Sequence, residues 1–237
     1  MRPRDAVIYE GPSRLQPSRR VLAVVTGIER PPTNRKTGDM AQLWIMPAAA
    51  APSASVRSGA DRAVCGACPL RPKASGGCYV LPWRGPDAVY QRTAALPRTP
   101  AHDVAQTLAH LGLSVRLGAW GDPVALPPDV VLPLAAKSTG YTHAWRLDVA
   151  APFRGVLMAS VASPEDRTAA RAMGWRTYRI SSRPPGPGEI ECPGQLAPGA
   201  RRPRKTCAQC LACSGADRSG PDVVARPHGY LRGRAYP

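Results

Sequence analysis

The sequence predicts an α/β fold, either a partial (βα) barrel or an open parallel sheet, with a C-terminal cysteine-rich metal-binding segment. Three observations support this fold class. Strand-like and helix-like segments alternate between residues 99 and 180, as in parallel βαβ units. Residues typical of helix ends flank the helix-like segments. The alternating region is also too short for the eight repeats of a closed barrel.

The N-terminal third of the chain has few regular patterns. We expect residues 1–39 to be irregular. The alternating stretch AQLWIM at 41–46 predicts a strand. Residues 47–63 are rich in Ala, Ser and Pro, and we interpret them as a linker or surface loop.

The alternation begins with TPAHDVAQTLAHLG at 99–112, which predicts a helix with Thr99 as N-cap and Gly112 as the C-terminal stop. A second helix is predicted over 127–138, although Pro133 is unfavourable inside it. A third begins at Ser163, an N-cap followed by an acidic residue, and ends at Met173 and Gly174. The strands between and after the helices are predicted at 113–120, 140–145, 155–161 and 175–180.

The pattern changes after residue 180. The turn-rich stretch SSRPPGPGE marks a boundary, and we divide the chain into an irregular segment 1–39, an α/β core 40–182 and a C-terminal segment 183–237. The last segment carries four cysteines and the basic run RRPRK at 201–205, and we expect residues 214–237 to form a loose basic tail.

The chain is strongly basic, with 32 Lys and Arg residues against 16 Asp and Glu and a net charge of +16. This balance favours an anionic partner, a nucleotide or a nucleic acid. The charge is dispersed, so a basic surface that serves solubility alone stays open. Arg35 and Lys36 in the loop NRKTGD are candidate anion-binding residues, with a solvated loop as the alternative.

The location of the protein also follows from composition. No apolar run approaches the roughly 20 residues of a membrane-spanning helix. The N-terminal stretch MRPRDAVIYEGPSRLQPSRR has no apolar segment of a secretory signal. We expect a cytoplasmic protein without membrane association. In that reducing environment, its seven cysteines are metal ligands more often than disulfides.

The seven cysteines divide into two sets. The C-terminal cysteines, with a CxxCxxC segment, suffice to close a metal site, and their spacing favours an iron–sulfur cluster over zinc. They are Cys192, Cys207, Cys210 and Cys213. The N-terminal cysteines are Cys65, Cys68 and Cys78. Three thiolates leave one coordination position open, where chemistry can take place. A zinc site completed by His143 or a carboxylate, or unrelated thiols, are the alternatives.

The order of motifs carries a resemblance. It runs from GDMAQLWIMP through a cysteine cluster ending in CY, then VRLGAWGDP, GYTHAWR, VLMASV and GWRTYRI, to a final CP and CAQCLAC. This order resembles phage and plasmid proteins of the gene-product-88-like type, which look like small relatives of radical S-adenosylmethionine enzymes. The usual cysteine spacing of those enzymes is CxxxCxxC, whereas here CxxC is followed by nine residues and Cys78.

The resemblance implies roles for individual residues. The N-terminal cysteines would hold a [4Fe–4S] cluster whose free iron binds S-adenosylmethionine, with Tyr79 as the aromatic residue beside the last cysteine. Gly121 and Asp122 match a Gly-Gly-Glu-like motif that binds the methionine amine. The C-terminal cysteines would hold an auxiliary cluster or zinc. The segment from Tyr141 to Arg146 would face the same mouth, and a phage-encoded chain would act in the host cytoplasm.

Three residues are candidate catalytic groups. Asp122 is a candidate general base or metal ligand, and His143 a candidate acid or ligand. Each also fits an ordinary role, in a turn or a hydrogen bond. Arg146 belongs to the aromatic–basic strand end. The sequence therefore predicts an iron–sulfur protein resembling a small radical S-adenosylmethionine enzyme that acts on a nucleotide or nucleic acid. The alternative is a non-enzymatic, basic zinc-binding phage protein that binds DNA or RNA.

Overall fold

The computed structural model describes residues 4–30, 32, 34–195 and 203–227. Within these residues one nine-stranded sheet has the strand order β1-β2-β3-β4-β5-β6-β7-β9-β8 and is not closed into a barrel. The open α/β sheet is thus confirmed. Its strands are β1 Ala6–Pro12, β2 Arg20–Thr26, β3 Ala41–Pro47, β4 Val115–Trp120, β5 Ser138–Thr142, β6 Met158–Val161, β7 Thr177–Ile180, β8 Glu189–Glu191 and β9 Asp222–Ala225.

Helices connect the parallel strands. The α-helices are α1 Pro52–Ser58, α2 Arg62–Cys65, α3 Gly85–Arg92, α4 Ala101–His110, α5 Pro128–Val131, α6 Pro164–Ala172 and α7 Cys207–Cys210. Short 3-10 helices cover Thr93–Ala95, Pro123–Ala125, Leu132–Lys137 and Asp148–Phe153. No helix among the described residues is long and apolar enough to cross a lipid bilayer.

The central strands follow one another in sequence. Strands β3 to β7 are neighbours in chain order and pair in parallel, whereas β1, β2 and β3 pair antiparallel. Because parallel crossovers share one hand, such an order places the connecting helices on one face of the sheet. Helices α4 and α6 share a hydrophobic core with that face through Val104, Leu108 and Ala170.

The predicted helices around this sheet are largely present. Helix α6 begins as expected, because the Ser163 side chain accepts a hydrogen bond from the amide of Asp166 at 3.1 Å. Helix α4 also forms, but its N-cap is Pro100 rather than Thr99. The helix predicted over 127–138 is a single α-helical turn, α5, followed by a 3-10 helix. Pro133 lies at the start of that 3-10 helix, where its missing amide is tolerated.

Three predictions of irregular structure are wrong. Strands β1 and β2 lie within residues 1–39, and β2 contains a continuous apolar run, VLAVV, of a kind found in strands buried on both faces. Residues 47–63 contain α1 and the first two residues of α2. The supposed loose tail contributes β9, and strands from all three predicted segments share one sheet. Residues 201–202 and 228–237 of the predicted basic segments lie outside the described residues.

Strand β9 joins the sheet through a buried carboxylate. Asp222 is fully buried, and its side chain accepts hydrogen bonds from the amide of Thr177 at 2.8 Å and from Arg167 and Arg171. These partners compensate the buried charge. The partners belong to α6 and β7, so local sequence around β9 does not reveal the pairing.

We expect substitution of the single phenylalanine to destabilise the fold. Phe153 is fully buried in the main core, and the guanidinium of Arg14 lies 5.7 Å from its ring centroid. Phe153→Ala should lower the free energy of unfolding by about 3–5 kcal/mol because it leaves a cavity. Urea unfolding followed by circular dichroism measures this. The control Leu147→Ala, at a side chain 51% exposed, should change it by about 0.5 kcal/mol or less. Equal effects would contradict the prediction.

Candidate metal centres

The C-terminal cysteines Cys192 and Cys213 pack on the face of the sheet opposite the main core. Side chains alternate between the two faces of a strand. Ala159 therefore packs in the main core, and Met158 in a second hydrophobic cluster with Tyr178, Ile180 and the C-terminal Cys192. Partly buried Tyr141 and Cys213 pack against this cluster. We call this side of the sheet the inner face.

The three N-terminal cysteines line one cavity of about 100 Å³. It lies at the carboxyl ends of β4 to β7, where parallel α/β sheets place their ligands. We call it the carboxyl-end cavity. Besides the three cysteines, its lining includes Gly121, Asp122, Tyr141, His143, Ser160 and Tyr178. The structure thus brings most of the sequence-predicted site residues together.

The loop that carries the first two cysteines is held by buried polar contacts. Arg71 donates to both carboxylate oxygens of Asp61, at 2.6 and 2.8 Å, and both side chains are buried. The hydroxyl of Ser13 donates to the carbonyl of Ala63 at 2.6 Å. A buried, bidentate ion pair confines its loop to one geometry. The positions of Cys65 and Cys68 are therefore set by contacts outside the CxxC itself.

The nine residues between Cys68 and Cys78 fold back on themselves. The amide of Ser75 donates to the carbonyl of Pro69 at 3.1 Å, and the amide of Cys78 donates to the carbonyl of Leu70 at 2.7 Å. These bonds close the excursion into a compact turn. The long spacing therefore returns Cys78 to the same cavity as the CxxC cysteines.

Asp122 connects three segments around the carboxyl-end cavity. Its backbone amide donates to the carbonyl of Val64 at 2.7 Å. Its carboxylate accepts hydrogen bonds from the amide of Val124 at 3.0 Å, and from the hydroxyl of Thr142 and the amide of His143, both at 2.8 Å. Burial raises the pKa of this carboxyl group, and the three hydrogen bonds act in the opposite direction. The side chain thus holds the cysteine loop, β4 and β5 together.

Gly121 and His143 lie beside Asp122 on the cavity wall. Gly121 has a φ of +83°, and an added Cβ would lie 2.4 Å from the carbonyl oxygen of Ile45. Only glycine fits there. His143 is the histidine of this wall, and burial lowers its pKa to about 4. Its imidazole is therefore neutral at pH 7, which is the form that binds a metal.

Arg146 and Tyr79 have different positions relative to this cavity. Arg146 stacks over the ring of Trp145 at 3.8 Å and pairs with Asp166 on α6, and it is not among the residues of the cavity wall. Tyr79 lies on the wall, and its hydroxyl is 2.8 Å from that of Tyr141.

Three of the C-terminal cysteines line a second, smaller cavity of about 30 Å³. They are Cys192, Cys207 and Cys213. We call it the amino-end cavity, because Arg116 and Thr139, the second residues of β4 and β5, also line it. The sulfurs of Cys192 and Cys207 lie 3.7 and 3.6 Å from the position of a Cβ on Gly194, so both converge on one point. Cys210 lines a neighbouring surface groove with Arg204 and Lys205.

The C-terminal cysteines are anchored to distant parts of the chain. The amides of Cys207 and Ala208 donate to the carbonyls of Lys36 and Thr37, and the amide of Gly140 donates to the carbonyl of Cys213 at 2.8 Å. Lys36 lines the amino-end cavity, whereas the exposed Arg35 does not. The two predicted anion-binding residues are thus separated.

Two stacked tyrosines separate the cavities. The rings of Tyr141 and Tyr178 are nearly parallel, with centroids 4.4 Å apart, and both line both cavities. Arg116 donates to the hydroxyls of Tyr79 and Tyr141 and lines the amino-end cavity. The sequence prediction did not include Arg116 and Tyr178. The feature of the sequence that could have indicated them is their position on predicted strands, next to residues of the main core.

The surroundings of these cysteines disfavour the thiolate form. Burial, followed by the neighbouring thiols Cys68 and Cys78, raises the pKa of Cys65, and burial raises the pKa of Cys68 to about 12. Burial and the other three C-terminal cysteines likewise raise the pKa of Cys213. A bound cation would compensate thiolates in both places. In the part of the chain that the structure describes, no group of three or more His, Cys, Asp or Glu residues forms a metal-ion site.

Comparisons with protein-family models, with curated proteins and with solved structures find no match for this chain. The class of protein is therefore defined by the open α/β sheet and by the two cysteine-lined cavities on its inner face.

We expect His143 to make stability depend on pH. Its pKa is lowered from 6.5 to about 4 in the folded chain, so unfolding takes up a proton below pH 6.5. The free energy of unfolding should fall as the pH drops from 6.5 to 4, by at most about 1.4 kcal/mol per pH unit. His143→Gln should flatten this slope in chelator-treated protein. The control is His110→Gln, at an exposed position of α4. An unchanged slope in His143→Gln would refute the prediction.

Proposed function

We propose that this chain is a cytoplasmic iron–sulfur protein similar to small radical S-adenosylmethionine enzymes. The N-terminal cysteines would hold a [4Fe–4S] cluster with one open iron, and the C-terminal cysteines an auxiliary cluster or zinc. One observation carries the proposal. Cys65, Cys68 and Cys78 line a single cavity at the carboxyl ends of parallel strands, and the remaining described cysteines line other cavities.

The chemistry of the donors favours a cluster in the carboxyl-end cavity. Thiolates bound to one zinc ion at 2.3 Å in a tetrahedron stand about 3.8 Å apart. A cluster spreads its thiolates over several irons and accepts wider separations. The N-terminal cysteines share a cavity of about 100 Å³. A shared space of this size and three thiols are what a cluster with one open iron requires.

The wall of the cavity fits a polar cofactor next to the thiols. The carbonyls near Gly121 are acceptors for an amine, and the neutral imidazole of His143 can accept or donate a hydrogen bond. Asp122 has its carboxylate engaged by three protein donors, so we assign it a positioning role. A reduced cluster, when bound, would supply one electron to S-adenosylmethionine. The protein's own part is to orient the cofactor and exclude water.

The class of substrate follows from charge. A net charge of +16 favours a polyanion, so we propose a nucleotide or nucleic acid as the substrate. Trp83, with a side chain 63% exposed, and the neighbouring exposed Arg84 follow the Cys78 turn by a few residues. An exposed indole beside an arginine can stack on a base.

A second candidate function is a non-enzymatic zinc protein that binds DNA or RNA. The observation that favours it is the groove in which Cys210 lies beside Arg204 and Lys205. Basic side chains next to a cysteine site are common in zinc modules that bind nucleic acid.

Metal content separates the two functions. Protein purified under anaerobic conditions should be brown, absorb at about 400 nm and contain about eight irons per chain if both sets of cysteines hold [4Fe–4S] clusters. About four irons and one zinc would indicate a zinc at the C-terminal cysteines. A colourless protein with two zincs and no iron after reconstitution would refute the proposed function. Elemental analysis and absorption spectroscopy give the answer.

We expect the two sets of cysteines to differ in what they contribute. Cys78→Ala should abolish reductive cleavage of S-adenosylmethionine while the C-terminal site keeps its metal, because Cys78 lies in the carboxyl-end cavity. Cys213→Ala should mainly lower thermal stability, because Cys213 packs in the second hydrophobic cluster. Deoxyadenosine formation, metal content and melting curves measure these effects. Purely structural effects of equal size would favour the zinc protein.

A further inference from the structure

Arg116 is a partly buried cation without a carboxylate partner. Its Nη2 donates to the phenol oxygens of Tyr79 and Tyr141, the latter at 2.9 Å, and its guanidinium carbon lies 5.9 Å from the centroid of the Tyr141 ring. Among the described residues no Asp or Glu pairs with it. Phenol oxygens are neutral near pH 7. The hydrogen bonds thus leave its positive charge uncompensated.

Three other enclosed arginines of this chain are paired with carboxylates, whereas the buried Arg176 donates instead to backbone carbonyls, among them those of Ala212 and Pro221. The pairs are Arg71 with Asp61, Arg167 with Asp222, and Arg179 with Glu189. A charge removed from water is costly unless an opposite charge or several hydrogen bonds compensate it. Arg116 differs from the three paired arginines in lacking an opposite charge, and from Arg176 in donating to phenol oxygens rather than to several carbonyls.

The amino-end cavity contains the groups that can supply this charge. Arg116 and Lys36 line it together with the thiols of Cys192, Cys207 and Cys213. The amide of Cys207 donates to the carbonyl of Lys36 at 2.8 Å, so α7 is attached to the backbone that carries this lysine. Two cations and three thiols thus surround one small space.

The sign of the charge there depends on the metal. Thiols bind metals as thiolates, and four thiolates outweigh the charge of a zinc ion or of an oxidised iron–sulfur core. A metal centre at the C-terminal cysteines is therefore an anion. A zinc ion with four thiolates has a net charge of about −2. Arg116 and Lys36 bring one positive charge each, which matches this net charge.

We infer that Arg116 and Lys36 are the counter-charges of an anionic metal–thiolate centre at Cys192, Cys207, Cys210 and Cys213. They are positioning residues that act through the cysteines, without binding the metal. The inference rests on the proposed metal at the C-terminal cysteines, and it holds for zinc and for iron alike. Because Arg116 also holds Tyr79, next to Cys78, the same side chain contacts the wall of the other cavity.

Metal titration of the full-length chain tests this inference. Metal-free protein is titrated anaerobically with Co²⁺, whose thiolate absorption reports each site, and the step lost in Cys213→Ala identifies the C-terminal site. Arg116→Gln should weaken that step by about 10- to 100-fold, the usual effect of removing a group that supports metal ligands. Arg116→Lys should recover most of the affinity, because it restores the charge. The Co²⁺ step at the N-terminal cysteines should persist in each variant.

Lys36 provides an independent comparison. Lys36→Gln should weaken the C-terminal step by about tenfold. The matched control is Arg35→Gln, which removes the same charge one residue away at a position outside the cavity. Circular dichroism reports whether each variant folds. If Arg116→Gln does not fold, the comparison of Lys36→Gln with Arg35→Gln tests the inference by itself.

Two results would overturn the inference. One is equal Co²⁺ affinity in Lys36→Gln and Arg35→Gln, together with unchanged affinity in any folded Arg116→Gln. The other is a Co²⁺ titration in which the wild-type chain and Cys213→Ala show the same binding steps, because the C-terminal cysteines would then bind no metal. Failure of the proposed iron–sulfur function looks different. The N-terminal site would bind no iron on reconstitution, while the Co²⁺ comparison at the C-terminal site would still apply.

Discussion

The hydrogen bonds of Asp122 are the interaction on which the site depends most. This one residue binds the cysteine loop through the carbonyl of Val64 and binds β5 through Thr142 and His143. The three N-terminal cysteines face the carboxyl ends of the strands because that loop is fixed to the end of β4. A buried carboxylate with all its partners satisfied is a rigid connector. Because three protein donors already bind the carboxylate of Asp122, its role is to position these segments.

The inner face has two chemically different ends, separated by the stacked rings of Tyr141 and Tyr178. At the carboxyl end, three thiols share a cavity of about 100 Å³ with a neutral histidine. At the amino end, three thiols share about 30 Å³ with Arg116 and Lys36. The first arrangement leaves room for a ligand, and the second surrounds an anionic centre with positive charge. This asymmetry follows from which loops cover the face, since the sheet itself is continuous.

Local patterns predicted the elements whose signals are contained within them. Helix α6 has its cap at Ser163 and its acidic first turn in adjacent positions, and the open parallel sheet follows from the alternation of strands and helices. Strand β9 was missed because its pairing depends on Asp222 contacting Arg171 and the amide of Thr177, far away in sequence. Strand β2 was missed because a short apolar run without periodicity does not distinguish a buried strand from other buried segments.

The amino-acid sequence by itself determined the division of seven cysteines into three and four, the basic charge and the open α/β class. The resemblance in motif order also implied that Gly121, Asp122 and His143 face one mouth, and all three line the carboxyl-end cavity. Only the tertiary structure decided that Cys78 returns to the CxxC cysteines and that Arg116 faces the C-terminal set. The reason is physical. Turn closure and side-chain direction depend on hydrogen bonds and strand register between distant segments, which no local pattern records.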